Sequence, residues 1–289
     1  MIKLSHSAKE LYNRCPKAYY IHYMLHLRRK VMGSALPFGS AMDAGLEVLL
    51  KEKNPVQAKV EFINKWNNFE INKKMVVGKD ATLRYFKADM DEKLFTKDET
   101  PTNHESLMRK GLMFLDAYNE QIIPKIKKVI GTQIPITIKN PDGDEIVGFI
   151  DLKCEWEDGR VLILDNKTAS ANSYREHYPD NILETDKAAQ VVTYGLGDKE
   201  HDAIGYIVIN KEIRKIKEPK VQIKTIIGKV SKEIVQKTID NYDQVLHSIR
   251  EAQFPSKNPD CFTFGEECTC QLFEREGYKA FDYLTKDKR

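Results

Sequence analysis

Residues 148–168 read GFIDLKCEWEDGRVLILDNKT and contain two apolar runs joined by the polar sequence EDG. Glycine readily takes the left-handed conformation that a three-residue hairpin loop needs, so this stretch predicts an antiparallel β-hairpin. Asp151, Asp165 and Lys167 interrupt the apolar runs. A buried charge without a partner is costly. The chain must therefore fold so that these three side chains pair with one another or bind an ion.

The loop length also predicts which residues of the hairpin face each other. With EDG in the loop, Trp156 faces Arg160, and counting back places Asp151 opposite Asp165. Lys167 follows two residues later, on the same face of its strand. Two carboxylates directly opposite each other repel, and a divalent cation that binds both removes this repulsion. Oxygen ligands completed by water suit magnesium or manganese.

Such a centre can hydrolyse a phosphodiester bond. The metal polarises the phosphate and activates water, while Lys167 stabilises the developing charge or orients the nucleophile. The alternative is a surface salt bridge between Lys167 and one of the aspartates, on a hairpin at the edge of a sheet. The hairpin sequence alone fits both interpretations.

The apolar pattern along the rest of the chain changes near residue 125. Residues 1 to about 125 follow helical spacing, and strand patterns dominate afterwards, with a crossover helix in ETDKAAQVVTYGLG and a last helix before the tail. This order predicts an α/β fold: a mixed central β-sheet flanked by helices, with a large N-terminal helical region and a cysteine-bearing C-terminal tail. We expect a single domain over residues 1–289, with a helical insertion at 50–125 and a tail at 254–275 that closes onto the N-terminal helix.

Composition limits the cellular setting and the partners. The net charge of +3 is only mildly basic, so a nucleic-acid partner requires clustered lysines. No apolar run approaches the ~18–20 residues of a transmembrane helix, and the N-terminus has no apolar stretch of signal-peptide length. We therefore expect a cytoplasmic protein without membrane contact, whose five cysteines do not form a disulfide framework.

Four segments resemble one known family, in the same order along the chain. They are SHSAKELYNRCPKAYYIHY, FGSAMDAGLE, the hairpin with GFID and LILDNKT, and QVVTY. Together they resemble the PD-(D/E)XK nucleases, specifically their RecB-like branch. The resemblance implies a restriction-endonuclease-like core that hydrolyses DNA. It implies that Asp151 and Asp165 are metal ligands, that the Asn166 backbone carbonyl is another, and that Lys167 is the catalytic lysine.

The same resemblance extends the site to two helices. Gln190 and Tyr194 match the Q-x-x-x-Y signature, one turn apart on one helix face, and are expected to position the DNA strand near the metal. The alternative is a polar helix position beside a core tyrosine. Asp43 stands where the family usually has a histidine, with Glu47 one turn later. Because a carboxylate is a harder ligand than imidazole, we expect Asp43 to bind the same ion, with the choice of metal left open. A solvated helix aspartate is the other interpretation.

The cysteines predict a second metal centre. Thiolates are soft ligands, and three cysteines fall within residues 261–270. Many RecB-like nucleases, of the AddB type and the CRISPR-adaptation type, hold a 4Fe–4S cluster with one N-terminal and three C-terminal cysteines. The resemblance implies this role for Cys15, Cys261, Cys268 and Cys270, although their C-x6-C-x-C spacing departs from the C-x2-C-x5-C typical of the family. Zinc in the same thiolates and unligated thiols are the alternatives. Cys154 is expected in the core.

The basic runs HLRRK, INKK and KIKK, with aromatic residues between them, predict contacts with phosphates and stacking on unpaired bases, although each run alone fits a solvated helix face. The sequence therefore predicts a metal-dependent DNA exonuclease for single-stranded or frayed ends, with a role in DNA repair or recombination. The chain has no GxxxxGK[ST] motif, so a helicase or recombination partner is expected to be a separate chain. The alternative is a DNA-binding or assembly module on a nuclease scaffold that no longer cuts, which Asp43 in place of histidine favours and the intact Asp151, Asp165 and Lys167 disfavour.

Overall fold

A computed structural model describes residues 1–29, 35–67, 104–213, 220–256, 262–263 and 266–283. The chain forms two compact units. The terminal unit contains Met1–Met32, Thr137–Gly148 and Gln236–Arg289, and the sheet unit contains Gly33–Ile136 and Phe149–Val235. The assignment of residues 1–289 to one domain stays a prediction, and the middle of the proposed insertion, residues 68–103, lies outside the described residues.

Helices and strands alternate as a mixed α/β fold. The helices are α1 (His6–Arg14), α2 (Pro16–Tyr19), α3 (Ala35–Glu52), α4 (55–67), α5 (His104–Gln121), α6 (Ala171–Glu176), α7 (Ala189–Gly197), α8 (Lys232–Arg250) and α9 (Thr269–Glu276). The strands are β1 (Lys3–Ser5), β2 (Leu27–Arg29), β3 (Ile126–Lys139), β4 (Glu145–Trp156), β5 (Val161–Ala169), β6 (Ala203–Asn210), β7 (Ile223–Gly228), β8 (Phe262–Thr263), β9 (Glu266–Glu267) and β10 (Phe281–Tyr283). A π-helix spans Tyr20–Met24, and 3₁₀ turns span Ile123–Lys125, Ile182–Glu184, Asp186–Ala188 and Gly277–Ala280. The predicted fold class, with a mixed sheet flanked by helices, is confirmed.

The sheet unit is built on the order β3-β4-β5-β6-β7. β5 and β6 are parallel, joined by the crossover through α6 and α7, whereas β4 with β5 and β6 with β7 are antiparallel. Every residue of β6 is buried, as expected for an internal strand of a sheet that is covered on both faces. Gly205 on β6 is required by close packing, because a Cβ there would lie 2.0 Å from the Ile226 carbonyl oxygen on β7. The sheet thus has a rigid centre on which β5 presents its polar residues.

The hairpin of β4 and β5 has the predicted loop and register. Gly159 has φ +87°, and the Trp156 N–H donates to the Arg160 carbonyl at 2.8 Å. The ladder then pairs Cys154 with Leu162 and Leu152 with Leu164. Leu152, Leu162 and Leu164 pack against a cluster drawn from α3, α4 and α5, while Ile163 packs on the opposite side with residues of α7. Both faces of β5 are therefore covered.

The terminal unit brings the two ends of the chain together. β1 pairs in parallel with the first residues of β4, and Tyr242, Val245 and Leu246 of α8 form a buried cluster with Leu4 of β1 and Tyr12 of α1. β2 pairs with β10 in antiparallel fashion. Within the described residues, no helix combines the length and the apolar character that crossing a membrane requires.

Candidate active site

Asp151 lies where β4 and β5 separate. The backbone ladder ends at the pair Leu152 and Leu164, and the same register continued by one residue places Asp151 opposite Asp165. Beyond this pair the Asp151 side chain replaces the backbone as hydrogen-bond acceptor, because its Oδ2 accepts a hydrogen bond from the Asn166 backbone N–H at 3.0 Å. Its Oδ1 accepts a hydrogen bond from Gln133 Nε2 of β3 at 3.3 Å. Asp151 is half-buried, with one hydrogen bond on each carboxylate oxygen.

Asp165 is fully buried, with 0 % of its surface exposed. Its Oδ1 accepts hydrogen bonds from Lys167 Nζ at 3.1 Å and from the Tyr194 hydroxyl at 3.2 Å. Its Oδ2 forms an ion pair with Lys167 Nζ at 2.8 Å and has no hydrogen bond of its own. A carboxylate oxygen with this single partner keeps a lone pair that can bind a cation.

The charges of the site are strongly coupled. Burial, followed by the repulsion of Asp165, raises the pKa of Asp151 well above its usual value, with Lys167 opposing this shift. Burial alone would lower the pKa of Lys167, but Asp165 and Asp151 outweigh it and the pKa is raised. Lys167 is therefore a cation at neutral pH, and its single charge faces the carboxyl groups of Asp165, Asp151 and Asp43. A divalent ion would favour the charged form of these carboxyl groups.

Asp43 on α3 lines a pocket of about 200 Å³ together with Asn166 and Lys167 of β5. Although Asp43 is exposed, the protein atoms around its carboxyl group and the charge of Asp165 raise its pKa to about 6, and Lys167 opposes the shift. The ligand oxygens of Asp43, Asp151 and Asp165 do not all lie within 4.8 Å of one another. Glu47 pairs instead with Lys51, one turn along α3, at 2.5 Å.

The helix residues Gln190 and Tyr194 are joined to this centre by hydrogen bonds. Gln190 Nε2 donates to the Tyr194 hydroxyl oxygen at 2.8 Å, and that hydroxyl donates to Asp165. Tyr194 is buried and Gln190 half-buried. The pair therefore orients the Asp165 carboxylate, and its expected contact with a DNA strand stays a prediction.

Three further residues at the site have no counterpart among the sequence predictions. The fully buried Tyr118 hydroxyl of α5 donates to Asn166 Oδ1 at 3.0 Å, and Gln133 donates to Asp151 as described above. Tyr178 follows α6, and burial raises its pKa while the charge of Lys167 lowers it. Tyr118 is 48 residues from its partner in sequence, so no local spacing could reveal the contact.

A family model for the PD-(D/E)XK nuclease superfamily matches residues 3–271. The chain belongs to this superfamily. The matched range contains the hairpin of β4 and β5 with its two carboxylates and lysine. It also contains the helices α3 and α7 and the cysteines near both ends of the chain.

Comparison with individual proteins adds two distant likenesses. No curated protein matches this nuclease chain. A crystal structure from Eubacterium rectale described as a "Putative exonuclease" has 10% identity and a TM-score of 0.45, covering 95% of this chain and 92% of that one. The crystal structure of SSO0001 has 10% identity and a TM-score of 0.33, covering 98% of this chain and 97% of that one. Both TM-scores lie below 0.5, so neither likeness bears on the activity.

Three cysteines of this PD-(D/E)XK protein converge in the terminal unit. The Sγ atoms of Cys15, Cys268 and Cys270 all lie within 4.8 Å of one another, and each residue is at most 1 % exposed. Cys15 precedes α2 and Cys268 precedes α9, so two helix starts bring the thiols together. Cys261 lies outside the described residues. Cys154 is fully buried in the sheet unit as predicted, and burial raises its pKa to about 12.

Two residues of the basic runs have partners within the protein. Arg28 of HLRRK donates to the His22 carbonyl at 2.6 Å, and Lys127 of KIKK pairs with Glu155 at 2.5 Å. The run INKK lies outside the described residues. Phosphate contacts by these runs stay a prediction.

Proposed function

We propose that this PD-(D/E)XK protein is a metal-dependent deoxyribonuclease, an exonuclease acting on single-stranded or frayed DNA ends. The observation that carries the proposal is the fully buried Asp165 carboxylate, which is paired with a charged Lys167 and lies beside a second carboxyl group of raised pKa, Asp151. A purely structural ion pair does not require a second carboxylate of raised pKa at the same place. This combination fits a divalent-cation site.

The residues present suit magnesium or manganese. Asp151 and Asp165 would hold the ion, with Asp43 and the Asn166 backbone carbonyl as further ligands. All of these donors are oxygens, which hard divalent cations prefer. When bound, the ion polarises the phosphate and lowers the pKa of a water molecule.

The side chains around the ion divide the remaining work. Lys167 carries a positive charge beside Asp165 and stabilises the negative charge that develops on the phosphate in the transition state. Tyr194 and Gln190 keep the Asp165 carboxylate in one orientation through their chain of hydrogen bonds. Tyr118 holds the Asn166 side chain, which keeps β5 fixed next to the reacting group. These groups are in place before substrate binds, as electrostatic catalysis requires.

The preference for DNA ends is supported by the resemblance of four segments to the RecB-like branch. By the same reasoning we propose a cytoplasmic role in DNA repair or recombination, with a separate helicase or recombination partner. An assembly module that no longer cuts is the second candidate, and the exposed Asp43 in place of a histidine favours it.

We further propose a structural 4Fe–4S cluster in the terminal unit. The convergence of Cys15, Cys268 and Cys270 supports it, because three buried thiols at this spacing are soft ligands for a metal. Cys261 would be the fourth ligand. Zinc in the same thiolates is the alternative, and metal analysis of protein purified without oxygen separates the two.

The test of the activity uses labelled DNA. Wild-type protein with magnesium or manganese should degrade linear single-stranded DNA from an end, leave circular single-stranded DNA intact, and stop when a chelator is added. Cleavage of the circle would contradict the exonuclease assignment while keeping the nuclease. Intact linear, duplex and flapped DNA with either metal, from cluster-loaded protein, would contradict the nuclease proposal and leave the assembly module.

A further inference from the structure

Gln133 has an unusual backbone conformation for its position. It lies within β3, yet its φ is +50°, in the left-handed region that residues with a Cβ adopt at a cost. Three other non-glycine residues of the described chain have positive φ: His26, Lys53 and Ala252. Each of these follows the end of a helix, where the left-handed conformation is common. Within a strand the left-handed conformation is typical of a β-bulge, where glycine is the usual residue and a residue with a Cβ adopts it at a cost.

The strained residue points its side chain at the active site. Gln133 Nε2 donates to Asp151 Oδ1 at 3.3 Å. The preceding Thr132 has a buried Oγ1 without a hydrogen-bond partner, which is a second local cost. The backbone conformation of Gln133 and the buried hydroxyl of Thr132 are thus both unfavourable. Both occur where the Gln133 amide contacts the Asp151 carboxylate. Strain of this kind collects at functional sites because the surrounding structure enforces it.

We propose that Gln133 is a positioning residue for the metal ligand Asp151, an inference that rests on the proposed function. The Gln133 amide holds Oδ1 and the Asn166 backbone N–H holds Oδ2, so both oxygens of the carboxylate are fixed in direction. Each oxygen keeps a second lone pair for an ion. Groups that orient a ligand in this way commonly change metal affinity by roughly 10–100-fold when they are removed.

The test separates positioning from a structural role by using glycine. Gln133→Gly removes the amide and also relieves the backbone strain, so the thermal midpoint of the metal-free protein should stay or rise while manganese affinity falls roughly 10–100-fold in calorimetry. Lys53→Gly is the matched control, because Lys53 has φ +51° after α3 and is exposed. It should raise the midpoint similarly and leave manganese affinity unchanged.

Two further variants make the outcome decisive. Gln133→Asn tolerates the left-handed conformation but is one methylene shorter, so it should lose manganese affinity as the glycine variant does, even if glycine disturbs β3. Asp151→Asn by itself should lose manganese binding, which shows that the affinity measured belongs to this site. Wild-type affinity in both Gln133 variants, with affinity lost in Asp151→Asn, would overturn the positioning role and keep the metal site. Wild-type affinity in Asp151→Asn would overturn both.

Discussion

Replacing Asp151 with asparagine should stabilise the metal-free protein at neutral pH and abolish its metal binding. Burial and then Asp165 raise the pKa of Asp151 well above its usual value, so the folded chain keeps a proton that the unfolded chain has lost. An unfolded aspartate titrates near a pKa of about 3.9. Below this pKa, Asp151 does not lower the free energy of unfolding. As the pH rises from there towards the pKa of the folded state, Asp151 lowers the free energy of unfolding progressively.

The change in the free energy of unfolding with pH is set by the one proton that Asp151 binds. A group that binds a proton only in the folded state changes the free energy of unfolding by about 1.4 kcal/mol per pH unit. Because Asp151 is half-buried and solvent screens part of its interactions, screening narrows the pH range over which this slope applies. Asparagine keeps an oxygen that can accept the Asn166 N–H, so the hairpin should persist. The variant lacks the slope because its side chain does not titrate.

Urea denaturation with chelator, repeated from about pH 4.5 to 8, measures the difference between the two proteins. The advantage of Asp151→Asn should grow with pH until the folded-state pKa is passed. Saturating manganese should reverse the order, because only the wild type gains stability from binding the ion. Parallel pH profiles would refute the buried, repelled carboxylate, and equal stabilisation by manganese would refute Asp151 as a ligand.

Two other variants test the neighbouring groups. Tyr194→Phe removes the hydroxyl that links Gln190 to Asp165, so manganese affinity should fall by roughly ten-fold or more in calorimetry, with the fold intact by circular dichroism; unchanged affinity would contradict the orienting role. Cys15→Ala should remove the brown colour and the iron of anaerobically purified protein, whereas Cys154→Ala should keep both. One zinc and no iron in colourless wild-type protein would replace the cluster with a zinc site.

The hairpin could be predicted because its determinants are local. The EDG loop fixed which residues pair, and the structure has the same loop and the same register. Register alone could not show that the Asp151 carboxylate takes over as hydrogen-bond acceptor beyond Leu152, because that depends on where the strands separate.

The spacing of residues in the sequence could not predict contacts between elements that are far apart along the chain. Gln133 contacts Asp151 from a left-handed position within β3, and Tyr118 contacts Asn166 from a helix, so neither has a periodic signature. The Q-x-x-x-Y motif predicted that Gln190 and Tyr194 share a helix face. Only the structure shows that the Gln190 amide donates to the Tyr194 hydroxyl and that this hydroxyl donates to Asp165. Sequence therefore predicts which residues belong to the site better than it predicts how they are held.

Single-turnover cleavage of end-labelled single-stranded DNA by wild type and Lys167→Ala, with manganese, tests the central claim most directly. Lys167 is charged beside Asp165 and is proposed to act mainly in the transition state. The alanine variant should bind manganese and DNA as the wild type does but cleave roughly 10²–10³-fold more slowly, and Lys167→Arg should not restore the rate, because a planar guanidinium cannot replace a compact ammonium. Cleavage by Lys167→Ala at the wild-type rate would contradict the catalytic centre described here.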